Sequence, residues 1–137
     1  MNTVDPYKMS KNQIADLLEK GNALHQKNNF VEAQAVYEKI LSGHPDHFDA
    51  LQLMGSLLAQ LQKYSEATQY LSKALKINPN DARSLCNQGF VLKELKRYDE
   101  ALVSYDHAIS IEPKFAQAYY NRGIVLQVLK RFDEALL

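Results

Sequence analysis

One cysteine, no tryptophan, five glycines and four prolines occur in 137 residues, and basic and acidic side chains cancel at sixteen each. With Cys86 alone no disulfide can form within the chain, so packing must hold it together and a reducing compartment is the expected setting. Zero net charge removes the electrostatic pull toward nucleic acid or an acidic membrane surface, and partners must be recognised by shape and local chemistry. No apolar run exceeds three residues, as in Phe90-Val91-Leu92 and Ile124-Val125-Leu126, where a bilayer span needs about 20. The opening Met1-Asn2-Thr3-Val4-Asp5-Pro6-Tyr7-Lys8 has neither the apolar stretch nor the small-residue cleavage site of a secretory signal. A soluble, cytoplasmic chain is the expectation. With 46% of its residues hydrophobic against 23% charged, it is not disordered as a whole.

What is present is a period. Gly21, Gly55, Gly89 and Gly123 stand 34 residues apart, as do Ala33, Ala67, Ala101 and Ala135. Pro45, Pro79 and Pro113 keep the same interval, and so do Phe30, Tyr64, Tyr98 and Phe132, and Glu32, Glu66, Glu100 and Glu134. Five columns in register define repeats 14–47, 48–81 and 82–115, an incomplete fourth over 116–137, and a polar lead-in over 1–13.

Each repeat carries two helical patterns. Leu51, Met54, Gly55 and Leu58 recur on one face of a first helix, and Tyr98, Ala101, Leu102, Tyr105, Ala108 and Ile109 form the stripe of a second. Short polar links such as Gln62-Lys63 join the two, and the proline segments break the chain between repeats. Ser10 with Gln13 reads as a capping box, and Ser65, Asp99 and Asp133 read as caps of second helices. The Gly and Ala columns are expected at the helix crossing, where small side chains allow close approach. One hairpin cannot bury both of its faces, so the hairpins are expected to stack into an all-α, right-handed solenoid. The chain stops about one turn into an eighth repeat helix with no polar cap, so a fragment of a longer array, or self-association through the open end, is expected.

The sequence resembles the tetratricopeptide repeat, through Leu85, Gly89, Leu92, Ala101, Tyr105 and Pro113 in the third repeat, over residues 14–137. It departs from that pattern at the residue before each glycine, which is Lys20, Met54, Gln88 or Arg122. The resemblance implies a concave groove, lined by first helices, that receives a segment of a protein partner. Helical phase places Asn22, Gln52, Ser56, Arg83, Phe90, Lys93, Gln117, Tyr120 and Ile124 there, with Cys86, Phe90, Tyr120 and Ile124 as an apolar cluster, and the resemblance adds Asn87 and Asn121 to the groove. Phe90 and Tyr120 are the expected anchors of an extended or helical peptide.

Two specialised branches of the resemblance can be compared position by position. Cochaperones that grip acidic heat-shock-protein tails use a cationic and asparagine clamp. Here Leu18, Asn22, Leu53, Arg83 and Asn87 fill its places, so most of the clamp is missing. In the helical arm of O-linked N-acetylglucosamine transferases and SPINDLY-type proteins, groove asparagines form a ladder that holds the substrate backbone. Asn87 and Asn121 match that ladder, whereas Glu19 and Leu53 interrupt it. A substrate-recruiting arm of a larger glycosyltransferase is therefore the alternative to a stand-alone scaffold, and a self-assembling solenoid is a third reading.

No Gly-rich phosphate loop, nucleophile elbow or paired-cysteine metal site occurs in the sequence, and neither catalysis nor a cofactor is expected. His44 and His47 are too few ligands for a metal. His25 is expected to face the groove and His107 an exposed helix side. Cys86 has no histidine placed by the period to activate it.

Overall fold

The computed structural model describes residues 8–135, with side chains up to residue 133. Expectations that fall on residues 1–7, on the Glu134 and Ala135 side chains, and on Leu136 and Leu137 lie outside the described residues. Among the described residues seven α-helices follow one another: α1 (Lys11–Gln26), α2 (Phe30–Gly43), α3 (Phe48–Gln60), α4 (Tyr64–Ile77), α5 (Ala82–Glu94), α6 (Tyr98–Ile111) and α7 (Ala116–Ala135). Helices α1 and α2, α3 and α4, and α5 and α6 pack as hairpins, while α2 on α3, α4 on α5 and α6 on α7 join one hairpin to the next. First helices also touch each other directly, α3 with α5 and α5 with α7. The result is the expected all-α solenoid.

Each hairpin reverses through one residue in the left-handed region. Asn28, Gln62 and Lys96 have φ of 63°, 62° and 63°. The next backbone N–H then donates back to the carbonyl of Leu24, Leu58 or Leu92 at 2.8–2.9 Å, which satisfies a carbonyl that the ending helix leaves open. This turn also sets where the second helix begins. The cap positions of α2, α4 and α6 are Asn29, Lys63 and Arg97, and none makes a side-chain cap bond. Ser65 and Asp99 therefore sit inside the first turn and do not cap, contrary to the sequence expectation. Asp99 and its like act there only through favourable charge at a helix N-terminus.

First helices are capped by side chains. Ser10 and Gln13 form the expected capping box. Asp81 accepts from the Ser84 N–H at 2.9 Å and from its hydroxyl at 2.7 Å, and His47 Nδ1 accepts from the Ala50 N–H at 3.2 Å.

Close approach within the hairpins comes from the glycine column. A Cβ built on Gly21, Gly55 or Gly89 would lie 2.5, 2.6 or 2.7 Å from the side chain of Tyr37, Leu71 or Tyr105. The glycines thus face large side chains, and Gly55 also meets the Ala67 carbonyl of the alanine column at 3.5 Å, a column that is itself buried at Ala33, Ala67 and Ala101.

Helix α7 corrects the reading of the fourth repeat. It runs unbroken through Lys130, Arg131 and Asp133, where the period calls for a turn and a second helix. Nothing lies within 4 Å of a Cβ on Gly123, because no second helix folds back over it. A left-handed turn residue costs about 1–2 kcal/mol, and this is offset in the other repeats by the packing of a full second helix. Here continued helical hydrogen bonding is the lower-energy course.

Candidate functional site: the concave clefts

Two clefts run along the face formed by the first helices. The larger, of about 550 Å³, is bounded by the end of α3, the start of α4, the length of α5 and the start of α7. Its lining divides by chemistry. Tyr64, Phe90 and Phe115 supply aromatic surface; Gln60, Gln62, Asn87 and Gln117 supply amides; Arg83 is the one ionised side chain among them. The smaller cleft, of about 360 Å³, is polar and includes Asn22, His25 and Gln26. Ser56 and Gln60 line both clefts, so the two adjoin.

Five of the residues expected in the groove, Ser56, Arg83, Phe90 and Gln117 by helical phase and Asn87 by the resemblance, meet in the larger cleft. Asn22 lines the smaller one, where its carbonyl accepts from the Tyr37 hydroxyl at 3.2 Å. His25 lies beside it on the groove side, hydrogen-bonded to Gln60 and edge-on to Phe30 and Tyr37.

The remaining groove expectations need correction. Gln52 is 5% exposed, Asn121 7% and Cys86 2%. A single helical wheel reads the sides of this face as open, but those sides are where one first helix meets the next. Burial pushes the Cys86 thiol up to about 11, which keeps it neutral and unreactive. Tyr120 is 71% exposed and lies outside both clefts, as does the half-buried Ile124. The expected apolar cluster of Cys86, Phe90, Tyr120 and Ile124 is therefore not a continuous surface. Phe90 alone of the four lines a cleft.

The asparagine pair separates too. Asn87 lines the larger cleft, whereas Asn121 donates to the Gln117 carbonyl at 3.0 Å and accepts from Lys93 Nζ at 3.1 Å. Lys93 lines neither cleft, and its side chain is only 13% exposed. Its ammonium lies 4.8 Å from the centre of the Phe90 ring and 3.6 Å from Glu94, and the edge of Tyr64 meets the same ring at 6.4 Å. Phe90 is thus fixed between a cation on its face and a tyrosine at its side. Desolvation, with the Glu94 carboxylate beside it, raises the Tyr64 pKa and keeps its hydroxyl protonated.

Sequence reasoning passed over Gln62, Tyr64 and Phe115 as cleft residues. Tyr64 and Phe115 belong to a second helix and to a link between repeats, and a search confined to first helices cannot find them. Phe115 stands where His47 and Asp81 cap the earlier first helices, and an aromatic in a capping column is the signal that was available. The histidines considered as metal ligands have structural tasks: His44 Nε2 accepts from the Met9 N–H at 3.1 Å, and His47 caps α3. His107 bonds Asn80 on the outer surface.

Comparison with known proteins agrees with the architecture. Sequence profiles of the tetratricopeptide repeat match residues 24–86 and 70–103, and a further TPR repeat profile matches 91–129. The chain belongs to the tetratricopeptide-repeat family. The first TPR domain of Spaghetti (RPAP3), solved with the HSP90 peptide SRMEEVD, superposes with a TM-score of 0.84 at 21% identity, over 92% of this chain and 99% of that one. The Thermobaculum terrenum O-GlcNAc transferase superposes at 0.82 with 22% identity, over 90% of this chain but 23% of the transferase. MamA from Desulfovibrio magneticus gives 0.81 at 22% identity, over 92% of this chain and 71% of that one. These likenesses establish the repeat fold. A search of curated sequences finds no significant relative. Among the described residues, no helix is long and apolar enough to cross a membrane.

Proposed function

We propose that this repeat array is a non-enzymatic interaction scaffold that binds an extended segment of a protein partner in the larger concave cleft. The observation that carries the reading is the composition of that cleft: three aromatic side chains beside four amides and one arginine. The amides suit the carbonyl and N–H groups of a peptide backbone, the Phe90 and Tyr64 rings suit a large apolar side chain, and Arg83 suits a carboxylate. The RPAP3 domain, which has this architecture and is bound to a peptide, supports the same use of the face here. Its acidic peptide is a useful control, since Leu18 and Leu53 leave the corresponding clamp incomplete. The asparagine ladder of the recruiting-arm reading has only Asn87 open to the cleft, which favours the scaffold.

Peptides selected by display on the protein test the proposal. Phe90→Ala is expected to weaken them about thirtyfold, close to 2 kcal/mol, with helical circular dichroism unchanged. Equal affinity for wild type and variant would overturn it.

A second reading has its own observation. Tyr119 and Leu126 occupy columns that are buried at Leu51, Leu85, Leu58 and Leu92, yet they are 48% and 41% exposed, and Gly123 between them is open. This face of α7 supports self-association of the 137-residue chain. Sedimentation at rising concentration should show a dimer that Leu126→Glu abolishes; a monomer throughout would remove this reading.

A further inference from the structure

A third pocket, of about 510 Å³, lies at the other end of the concave face, where Met9, Ile14, Ala15, Leu18, His44 and His47 line it together with Lys11, its one cationic side chain. It is the apolar counterpart of the larger cleft. Ala15 and His47 stand two periods before Arg83 and Phe115, so the same positions of the repeat frame both sites, with different chemistry. Neither histidine brings a free lone pair on its bonded nitrogen, because His44 Nε2 and His47 Nδ1 each accept from a backbone N–H. The other nitrogen of each ring is then an N–H donor beside apolar ring carbons, and the half-buried Leu18 and Met9 complete a site for an aliphatic side chain.

The ground between the two sites is not apolar. Leu18, Asn22 and Gln26 succeed one another on α1 at four-residue steps and so share a face, and Asn22, Gln26, Ser56 and Gln60 carry it as the polar smaller cleft into the larger one. Taken together, the concave face reads apolar, polar, aromatic along one line.

Resting on the peptide-binding reading above, we propose that the partner segment is bipartite: two apolar side chains about six residues apart, with polar residues between. The first enters the Leu18 pocket and the second packs on Phe90. The spacing follows from geometry. Packed helices stand about 10 Å apart, as α3 and α5 do, and one such step per repeat puts sites two repeats apart at about 20 Å. An extended chain advances about 3.3 Å per residue and covers that span in about six residues.

The test uses the full chain and fluorescein-labelled serine–asparagine peptides that carry one leucine, or two leucines separated by a variable interval. Affinity is expected to peak when the second leucine follows at about the sixth position, with a gain of at least tenfold over the one-leucine peptide. Ala15 is exposed, so Ala15→Glu places a charge in the pocket without disturbing the core; it should remove the gain, with both peptides measured on that variant. A gain independent of spacing, or one that survives Ala15→Glu, would overturn the proposal. So would a gain seen only after residues 1–7 are deleted, which would assign the pocket to the chain's own lead-in. If Phe90→Ala leaves even the one-leucine peptide unaffected, the peptide-binding reading fails instead.

Discussion

Gly89 and Gly123 share a column of the repeat and have opposite surroundings, so the same substitution should have opposite signs. A methyl on Gly89 would press on the buried Tyr105 ring at 2.7 Å, and overpacking of this kind costs about 1–3 kcal/mol. On Gly123 it meets open space, and the better helix propensity of alanine should add up to about 1 kcal/mol. Thermal unfolding of Gly89→Ala and Gly123→Ala checks both. Buried protons make a second residue-scale prediction. Burial raises Cys86 from 9.0 to about 11 and Tyr37 from 10.0 to about 12. In each case the unfolded chain loses its proton first, so stability from these groups is complete below pH 9 and falls as pH rises from about 9 to about 12. Denaturant midpoints should decline across that window, and Cys86→Ala should abolish the lower part of the decline. The glycine period was legible in the sequence, but what each glycine faces was not, since that depends on whether a second helix folds back.

Turns between paired helices show how far periodicity reaches at the scale of elements. The 34-residue period located all six helices of the first three repeats. It could not say that the caps of second helices are backbone turns rather than Ser65 or Asp99, because both devices end in a polar residue near a helix start. Gln62 and Lys96 adopt φ near 62° without the asparagine that serves Asn28. Gln62→Gly should therefore stabilise the chain by about 1 kcal/mol through relief of the left-handed strain, read as a higher denaturation midpoint; no rise would mean the strain is already offset by local contacts. The candidate site was half legible for a related reason. Helical phase pointed to Ser56, Arg83, Phe90 and Gln117, the resemblance to Asn87, and the five line one cleft. Gln52 and Cys86, expected there by phase, and Asn121, expected there by the resemblance, are buried instead, because the neighbouring first helix covers them, a contact that no single helix pattern encodes.

Coupling between repeats is carried by columns that change character along the whole molecule. Ala50, Ser84 and Ala118 are completely buried, and Leu57, Val91 and Val125 likewise, each against the repeat before it. The same columns in the first repeat hold Asp16 and Ala23, both exposed, where no earlier repeat packs. Asp16 is harmless in its own place and would be ruinous one period later. Ala50→Asp buries an unpaired carboxylate in the cluster formed with Ile14 and Ile40, which belongs among the changes that cost about 3 kcal/mol or more. In a solenoid that loss falls mainly on one junction, because each repeat touches only its neighbours. Hydrogen exchange should thus show α1 and α2 losing protection in Ala50→Asp while the amides of α5 and α6 keep theirs, and Asp16→Ala should change neither. Equal loss of protection across all helices would mean that the array unfolds as one unit, and that the clefts at its two ends rise and fall in stability together.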